Sequence, residues 1–342
     1  MEQPTLDNFP KEVLRKIDIQ RAFIVSRLVV AAERLQVFRL LHGKRMTADA
    51  IGRALKVHKF YLLTFLDALV SLNLLRKTAD IYWNAPLAEK YFIKERSIYW
   101  TRQYSKECVQ AYEALTLLEN VLTSGRSYDS LKRVKKPRYT EVMKRDPRQA
   151  EDFTQMLFHL HQGDAEALAN YLDLTERRSL LDVGGGSGVM SIALAKKNSA
   201  LRAVILDIPP VCKIAAGNIL RAGLAGRVVT QPGDIHDPLP TGHDVIIFCD
   251  IGPLSKQLLR NAFQSLPPQG LIVVVDMYLS KDHTQPLDRL VSHFYGSSFP
   301  RETWAEMVET VKAAGFRAVK ARNMYRDVWF ITGIKPHRRQ SS

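Results

Sequence analysis

Apolar residues in the first third of the chain recur at helical spacing. Residues 21–41 and the segment KFYLLTFLDALVSLNLLRK both show this spacing, so each predicts a helix. Thr47 stands directly before ADAIGRALKV and suits the N-cap of a short helix between them. The segment TADIYWNAPLAEKYF then predicts a short hairpin followed by a helical turn. This order of elements, over roughly residues 20–95, predicts a winged-helix unit, which we assign to a domain of residues 1–100.

From about Leu174 the pattern changes to short, nearly continuous apolar runs. Each run is rich in β-branched residues, and helix-like stretches such as MSIALAKK and SKQLLRNAFQSL separate them. Continuous apolar strands are buried on both faces, which is typical of a parallel sheet. The pattern predicts a doubly wound α/β domain over residues 166–342. AVKARN and WFITGIKP supply two closing strands, and the parallel strands are RSLLDVG, RAVILDIP, RVVTQPGD, HDVIIFCD and LIVVVDMY.

The composition fits a globular protein of two domains. The chain has 342 residues, of which 46% are apolar, and its 3 cysteines are too few and too scattered for a disulfide framework or a zinc site. We therefore expect no metal and a reducing, cytoplasmic location. The N-terminal residues lack the apolar centre of a signal peptide, and no apolar run approaches the roughly 20 residues that span a bilayer.

The net charge of +14 is concentrated in the N-terminal half. Residues 1–150 contain 28 Lys and Arg against 16 Asp and Glu, and the densest basic patch covers residues 131–148. We place this patch in a helical linker of residues 101–165. A field of this sign attracts nucleic acid, anionic membranes or acidic small molecules, and the alternative interpretation is a solvated basic face.

A glycine-rich stretch, LLDVGGGSGVM, joins the first strand of the predicted sheet to its first helix. Gly184, Gly186 and Gly188 allow a sharp turn there and let a ligand lie against main-chain N–H groups. Asp207 ends the second strand, 21 residues after Gly186, where an acid accepts hydrogen bonds from both ribose hydroxyls of a nucleoside. Asp234 follows the third strand at the same edge, which suits recognition of adenine.

The charge next to this loop distinguishes two classes of nucleoside ligand. A dinucleotide places its pyrophosphate at the helix N-terminus, and a nearby carboxylate would repel it. Asp182 stands directly before the loop, in the order D-x-G-x-G-x-G. A carboxylate there suits S-adenosylmethionine, which carries an ammonium and a sulfonium. The sequence therefore favours S-adenosylmethionine over a dinucleotide.

The motifs LLDVGGGSG, LDIP, GDIHDPLP and LPPQGLIVVVDMYL resemble those of small-molecule O-methyltransferases, the family of the acetylserotonin, caffeate, hydroxyneurosporene and phenazine enzymes. The resemblance spans about residues 20–336. It implies a Rossmann-like methyltransferase sheet and a homodimer formed through the N-terminal winged helix. It also implies that Asp207 holds the ribose, that Asp234 and Ile235 frame the adenine, and that Cys249 and the Gly184–Gly188 turn contact the cofactor.

The chain departs from this family after the fourth strand. The family carries a histidine there as the general base, whereas this chain reads DVIIFCDIGPLSKQLL, with Pro253 near the expected position. His293 in LDRLVSHFYGSS is our candidate for an alternative base or substrate ligand, although a helix histidine satisfied by packing is the competing interpretation. Tyr295 and Met156 are candidates for the substrate pocket.

Several functions remain open at this point. The acceptor is a hydroxyl of an aromatic, polyketide-type or isoprenoid-type molecule, or an activated carbon, as in C-methylation of a tetrapyrrole-like or enolisable substrate. A relative that binds the cofactor without transferring methyl is a further alternative. A winged-helix regulator that binds DNA is a fourth, but the longer helix is too apolar to read bases, so a nucleic-acid partner is not expected. His159 and His161 are two residues apart and face apart on a helix, which makes them poor metal ligands.

Overall fold

A computed structural model of the chain describes residues 11–93, 108–134, 137–296, 302–325 and 327–337. It divides the chain into two units, Met1–Tyr112 and Glu113–Ser342. The predicted boundary at residue 100 and two lysines of the basic patch, Lys135 and Lys136, lie outside the described residues. The described helices from residue 118 to residue 171 cluster with the second unit.

The N-terminal unit has the predicted order of helices and hairpin, but the longer helix, predicted through Lys77, ends at Ser71, and Leu75–Thr78 form the first strand of the hairpin. Thr47 caps the short helix, because its side chain accepts a hydrogen bond from the N–H of Ala50 at 3.3 Å. The three strands pair antiparallel in the order β1-β3-β2. The elements are α1 (Lys11–Arg34), α2 (Val37–Leu40), β1 (Met46–Thr47), α3 (Ala48–Leu55), α4 (Lys59–Ser71), β2 (Leu75–Thr78), β3 (Ile81–Asn84) and α5 (Pro86–Phe92).

The continuous helix predicted over residues 21–41 is wrong. The structure ends α1 at Arg34 and begins α2 at Val37, because Gln36 adopts a left-handed backbone conformation with φ of 60°. The bend lets α2 bury Val37 and Phe38 in the core of this unit. Helical spacing of apolar residues continued across the bend, so the pattern alone concealed it.

One face of α4 packs into the N-terminal core, and another is exposed. Leu62, Leu66 and Leu69 are buried, whereas Phe60 and Tyr61 are 71% and 74% exposed. Two adjacent exposed aromatic side chains are unusual on the surface of a single chain and indicate an interaction surface.

The C-terminal unit has the predicted α/β pattern, and the five apolar runs and two closing segments all form strands. Between residue 118 and the sheet, the described residues form the helices α6 (Leu118–Ser124), α7 (Tyr128–Leu131), α8 (Tyr139–Arg145), α9 (Pro147–Leu160) and α10 (Gln162–Tyr171). The remaining elements are β4 (Ser179–Val183), α11 (Val189–Lys197), β5 (Arg202–Asp207), α12 (Pro209–Arg221), β6 (Val228–Pro232), β7 (Val245–Cys249), α13 (Lys256–Ser265), β8 (Leu271–Met277), α14 (Leu287–Tyr295), α15 (Trp304–Ala313), β9 (Arg317–Tyr325) and β10 (Val328–Ile334).

The seven strands of this unit lie in the order β6-β5-β4-β7-β8-β10-β9. β6 to β8 pair in parallel, whereas β10 runs antiparallel between β8 and β9. Both faces of the sheet are covered by apolar clusters, one containing Leu180 and Ile247 and the other containing Leu181 and Phe248. Burial on both faces explains why the strands read as continuous apolar runs. Within the described residues, no helix combines the length and apolarity needed to cross a bilayer.

Candidate active site

The order of the strands creates a switch point between β4 and β7. From β4 the chain proceeds outward to β5 and β6, and then crosses back to β7 and β8 on the other side. Ligands of open α/β sheets bind outside the carboxyl ends of the strands at such a point. The residues that follow β4, β5, β7 and β8 therefore form the candidate site.

The loop after β4 depends on glycine for its conformation. Gly184, Gly186 and Gly188 have φ of +66°, +54° and +78°, in the left-handed region that residues with a side chain rarely adopt. A Cβ on Gly185 would lie 2.5 Å from the carboxyl carbon of Asp182, which is too close for any real contact. Four of the five residues from Gly184 to Gly188 are glycine and the fifth, Ser187, is buried, so the loop presents mainly main chain, the form that suits a nucleoside cofactor lying against backbone N–H groups.

Asp182 lies beneath this loop and is fully buried. Its Oδ2 accepts a hydrogen bond from Ser191 Oγ at 2.7 Å, while no described residue donates to its Oδ1. Burial raises the pKa of Asp182 to about 6, against the opposing effect of the Ser191 hydroxyl. The carboxylate is therefore mostly ionised at neutral pH.

Asp207 ends β5 and is held by two main-chain donors. Gly186 N donates to its Oδ2 at 2.9 Å, and Ile208 N donates to its Oδ1 at 2.7 Å. Burial raises the pKa of Asp207, and these two N–H groups counteract part of that effect. Each carboxylate oxygen has a further lone pair. The glycine loop thus fixes the orientation of the acid predicted to hold the ribose.

Asp234 and Ile235 follow β6 on the same edge of the sheet. Asp234 is exposed, and its Oδ1 accepts a hydrogen bond from His236 N at 2.9 Å. A methyl group of Ile235 lies 3.7 Å from where a Cβ on Gly184 would stand. The structure therefore brings both predicted adenine residues to the edge that contains the glycine loop.

A buried amide chain, which sequence reasoning missed, supports the loop from the other side. Gln155 in α9 donates to Asn218 Oδ1 at 3.1 Å, and Asn218 Nδ2 donates to the carbonyl oxygen of Ser187 at 2.9 Å. Gln155 and Asn218 are 7% and 2% exposed. The chain connects the helices before the sheet to the glycine loop through specific side chains.

A second group of polar side chains gathers where β7 and β8 end. Cys249 is the last residue of β7, and burial raises the pKa of its thiol well above the ordinary value. Four carboxylates add to this shift, which indicates how close they lie to the sulfur. In order of effect they are Asp250, Asp182, Asp276 and Asp164. Cys249 is thus near both Asp182, beneath the glycine loop, and the acids of the second group.

His161 connects three elements of this second group. Its Nδ1 lies 2.6 Å from Asp164 Oδ2, and its Nε2 lies 3.3 Å from Asp250 Oδ2. Burial lowers the pKa of His161, but the hydrogen bonds and charges of the two carboxylates outweigh burial and raise the pKa to about 9. His161 is therefore an imidazolium at neutral pH. Tyr325 Oη donates to the other oxygen of Asp164.

Asp276, the sixth residue of β8, forms a buried ion pair in the same group. Arg289 in α14 donates through Nη2 to Asp276 Oδ1 at 2.8 Å and to the carbonyl oxygen of Met277 at 2.7 Å. Burial raises the pKa of Asp276, the charge of Asp250 adds to this effect, and Arg289 opposes it. Among the residues that the structure describes, no three His, Cys, Asp or Glu side chains are arranged to hold a metal ion.

The remaining predicted residues lie on helices around the site. Met156 is a buried residue of α9, 5% exposed and adjacent to Gln155. His293 and Tyr295 are partly buried near the end of α14, and His293 lies four residues, about one turn, after Arg289. The structure therefore places His293 on the face of α14 that Arg289 turns towards β8.

Comparison with known proteins identifies the family. Residues 118–317, more than half of the chain, match the family described as the O-methyltransferase domain, and residues 17–94 match the O-methyltransferase dimerisation domain. The chain therefore belongs to the O-methyltransferase family and is an S-adenosylmethionine-dependent methyltransferase. The family, the enzyme class, the cofactor and the α/β architecture predicted from the sequence are confirmed.

Similar proteins act on different acceptor atoms. The chain is 28% identical over 335 residues to the N,N-dimethyltransferase OxyT of Streptomyces rimosus, covering 94% of this chain and 96% of that protein. It is 34% identical over 160 residues to an L-tyrosine C(3)-methyltransferase of Streptomyces lavendulae, a match that spans only 44% of each protein. The solved structure of PigF with SAH superposes with a TM-score of 0.81 at 18% identity, covering 94% of this chain and 99% of that one, which establishes the shared fold.

Proposed function

We propose that the enzyme transfers a methyl group to a hydroxyl, or to an activated carbon, of a small aromatic molecule of the polyketide or isoprenoid type. The observation that carries this proposal is the glycine loop with Asp207, whose carboxylate is already oriented by Gly186 and Ile208. Bound S-adenosylmethionine supplies an electrophilic methyl group. The protein supplies binding, orientation and removal of the acceptor proton.

We propose the following contacts with the cofactor. Asp207 accepts hydrogen bonds from the ribose hydroxyls, Asp234 and Ile235 frame the adenine, and the loop from Gly184 to Gly188 faces the methionine portion. The fit rests on the main-chain loop, since a side chain at Gly185 would collide with Asp182. Cys249 lies on the β7 side of the loop, and Asp182 attracts the positive charge from below.

The chemistry of methyl transfer, rather than the shape of a pocket, supports the proposed class of acceptor. Methyl transfer from a sulfonium is an in-line displacement that depends mainly on positioning, so an electron-rich oxygen or carbon suffices as nucleophile. The relative that methylates C(3) of L-tyrosine and the relative named as an N,N-dimethyltransferase support a family site that tolerates different acceptor atoms. We propose that His293, Tyr295 and Met156 line the acceptor side.

Mass spectrometry tests this proposal. The enzyme is incubated with S-adenosylmethionine that carries a deuterated methyl group and with a panel of L-tyrosine, catechol and naphthol, beside an Asp207→Ala control. We expect a product that contains the labelled methyl group, absent from the control. A panel without any labelled product would contradict the proposed acceptor class.

If His293 contacts the acceptor, His293→Ala lowers turnover at least about tenfold; unchanged turnover would assign it to packing.

We also propose that the enzyme is a homodimer formed through its N-terminal unit. The match to the dimerisation domain and the exposed aromatic side chains of Phe60 and Tyr61 support this proposal. Replacing both residues with Ser is expected to halve the mass measured by light scattering, while the affinity for S-adenosylhomocysteine stays the same. A variant that remains dimeric would place the interface elsewhere.

A further inference from the structure

The chain lacks the family histidine after β7, but the structure places a different ionisable group at that strand end. We propose that Asp250 is the general base that accepts the acceptor's proton, and that His161 is the positioning residue that holds its carboxylate. This inference rests on the proposed methyl transfer and adds the group that performs its proton step.

The position of Asp250 relative to the cofactor loop is the first argument. Asp250 follows Cys249 directly at the end of β7, and its N–H donates to the carbonyl oxygen of Val275 at 3.1 Å. The next residue, Ile251, reaches the glycine loop, since its Cγ2 lies 2.9 Å from where a Cβ on Gly184 would stand. Asp250 therefore directly precedes the residue at the end of β7 that contacts the glycine loop.

Accessibility is the second argument. The side chain of Asp250 is 32% exposed, whereas those of its neighbours Asp276, Asp164 and His161 are 13%, 7% and 17% exposed. Of these three carboxylates, Asp250 is thus the one that an acceptor reaches most readily. The backbone of Asp250 has φ of 47°, in the left-handed region that a residue with a side chain adopts at a cost. Such strain is retained where the surrounding structure fixes the residue. The left-handed conformation turns the side chain of Asp250 away from the direction that it would take in a continued strand.

The surrounding charges are the third argument. His161 holds Asp250 Oδ2 through Nε2, and its Nδ1 is fixed by Asp164, which Tyr325 anchors in turn. The contact from His161 Nε2 to Oδ2 orients the carboxylate of Asp250 and leaves Oδ1 available. The carboxylate of Asp276 lies at the neighbouring strand end, where it pairs with Arg289. The charged and titratable groups that face this site are Asp164, His161, Asp182, Cys249, Asp276, Arg289 and Tyr325.

The acceptor hydroxyl gives its proton to an oxygen of Asp250 as the oxygen lone pair forms the bond to the methyl carbon. The carbon–sulfur bond breaks, and its electron pair stays on sulfur as a neutral thioether. Because the side chain of Asp250 is partly exposed, the proton then passes to water and the carboxylate is restored.

Turnover measurements with the best acceptor of the phenol panel test the inference. Asp250→Asn keeps the shape of the side chain but removes the base, so kcat is expected to fall about 100-fold or more at neutral pH. The affinity for S-adenosylhomocysteine is expected to stay within about twofold of wild type, since Asp250 does not hold the nucleoside. The matched control is Glu309→Gln, an exposed carboxylate in α15, which should leave both quantities unchanged.

The pH profile separates a base from a merely structural residue. A phenolate needs no base, so the kcat of Asp250→Asn should rise about tenfold per pH unit until the phenol ionises near pH 10, while the wild-type profile stays flatter. His161→Gln should lower kcat about tenfold while the cofactor affinity stays unchanged. The control is His337→Gln, at an exposed histidine, which should change neither quantity. Wild-type kcat and a wild-type pH profile in Asp250→Asn would overturn the inference. Absence of labelled product with the wild-type enzyme would instead overturn the proposed function.

A measurement without any acceptor tests the contact between the two residues. In protein with ¹⁵N-labelled histidine, NMR should show one imidazole that stays protonated up to about pH 9, and its signal should vanish in His161→Gln. Asp250→Asn is expected to lower that pKa by at least about one unit, because one of two carboxylate partners is lost. An unchanged pKa of His161 in Asp250→Asn would overturn its role as the positioning residue.

Discussion

The β4–β5 edge and the β7–β8 edge of the same sheet differ in the groups that hold their acidic side chains. At the β4–β5 edge, main-chain N–H groups of Gly186 and Ile208 hold the carboxylate of Asp207. At the β7–β8 edge, side chains hold side chains, as in the pairs of His161 with Asp250 and Arg289 with Asp276. The first edge is part of the fold itself, whereas the second is a charge network attached to it.

This difference assigns different tasks to the two edges. Contacts made by main-chain groups do not change when single side chains are substituted, which suits the binding of a constant cofactor. A network of side chains changes by substitution at single positions while the sheet stays intact. In the inference above, the carboxylate of Asp250 in this network removes the proton that the family resemblance assigns to a histidine after the fourth strand of the sheet.

The largest expected effect is at Asp207. Asp207→Ala removes the two charge-assisted hydrogen bonds proposed for the ribose, each worth about 1.5–3 kcal/mol, so the affinity for S-adenosylhomocysteine should fall about 100-fold or more. Isothermal titration calorimetry measures this change, with Asp49→Ala in the N-terminal unit as the control. An affinity within a few-fold of wild type would show that Asp207 does not bind the ribose. It would also contradict the proposal that main-chain N–H groups at the β4–β5 edge orient this acid for the cofactor.

A smaller effect is expected at Gly185, which tests whether the loop needs glycine for steric reasons. Gly185→Ala brings a methyl group within 2.5 Å of the buried Asp182 carboxyl, so the free energy of unfolding should fall by about 2–3 kcal/mol. Gly226→Ala is the matched control, because a Cβ there meets open space. Denaturant unfolding of both variants measures the difference in the free energy of unfolding. Equal stability would show that the loop shifts to accommodate the added methyl group at little energetic cost.

The β4–β5 edge could be predicted from the sequence because its signals are local. The glycines, Asp182 and Asp207 fall at fixed places relative to continuous apolar runs, and those runs mark parallel strands directly. The same reasoning gave the winged-helix elements, including the Thr47 cap. It failed at Gln36, where a single left-handed residue bends the chain without interrupting the apolar spacing.

The β7–β8 edge could not be predicted because its partners are distant in sequence. His161 and Asp250 are 89 residues apart, and Asp164 and Tyr325 are 161 residues apart, so no periodicity connects them. Sequence spacing presents His161 only as a poor metal ligand beside His159, whereas in the structure it directly follows α9 and contacts Asp250. A usable signal existed in the acids at strand ends, since Asp250 follows β7 as Asp207 ends β5.

The smallest expected effect concerns stability at the β7–β8 edge. The pKa of His161 is raised from 6.5 to about 9, so its contacts stabilise the fold fully below pH 6.5, and this contribution is lost as pH rises through about 9. The stability difference between wild type and His161→Gln should therefore shrink by about 1–2 kcal/mol over this interval. Urea melts across the range measure it, with His337→Gln as the control. A difference independent of pH would mean that His161 is not held as an imidazolium.

A crystal structure of the enzyme with S-adenosylhomocysteine tests the division between the two edges most directly. The account predicts ribose hydroxyl oxygens about 3 Å from the Asp207 carboxylate and the sulfur atom on the side of the glycine loop that faces Cys249 and Asp250. A nucleoside bound away from Asp207, or a sulfur atom turned away from the end of β7, would contradict it.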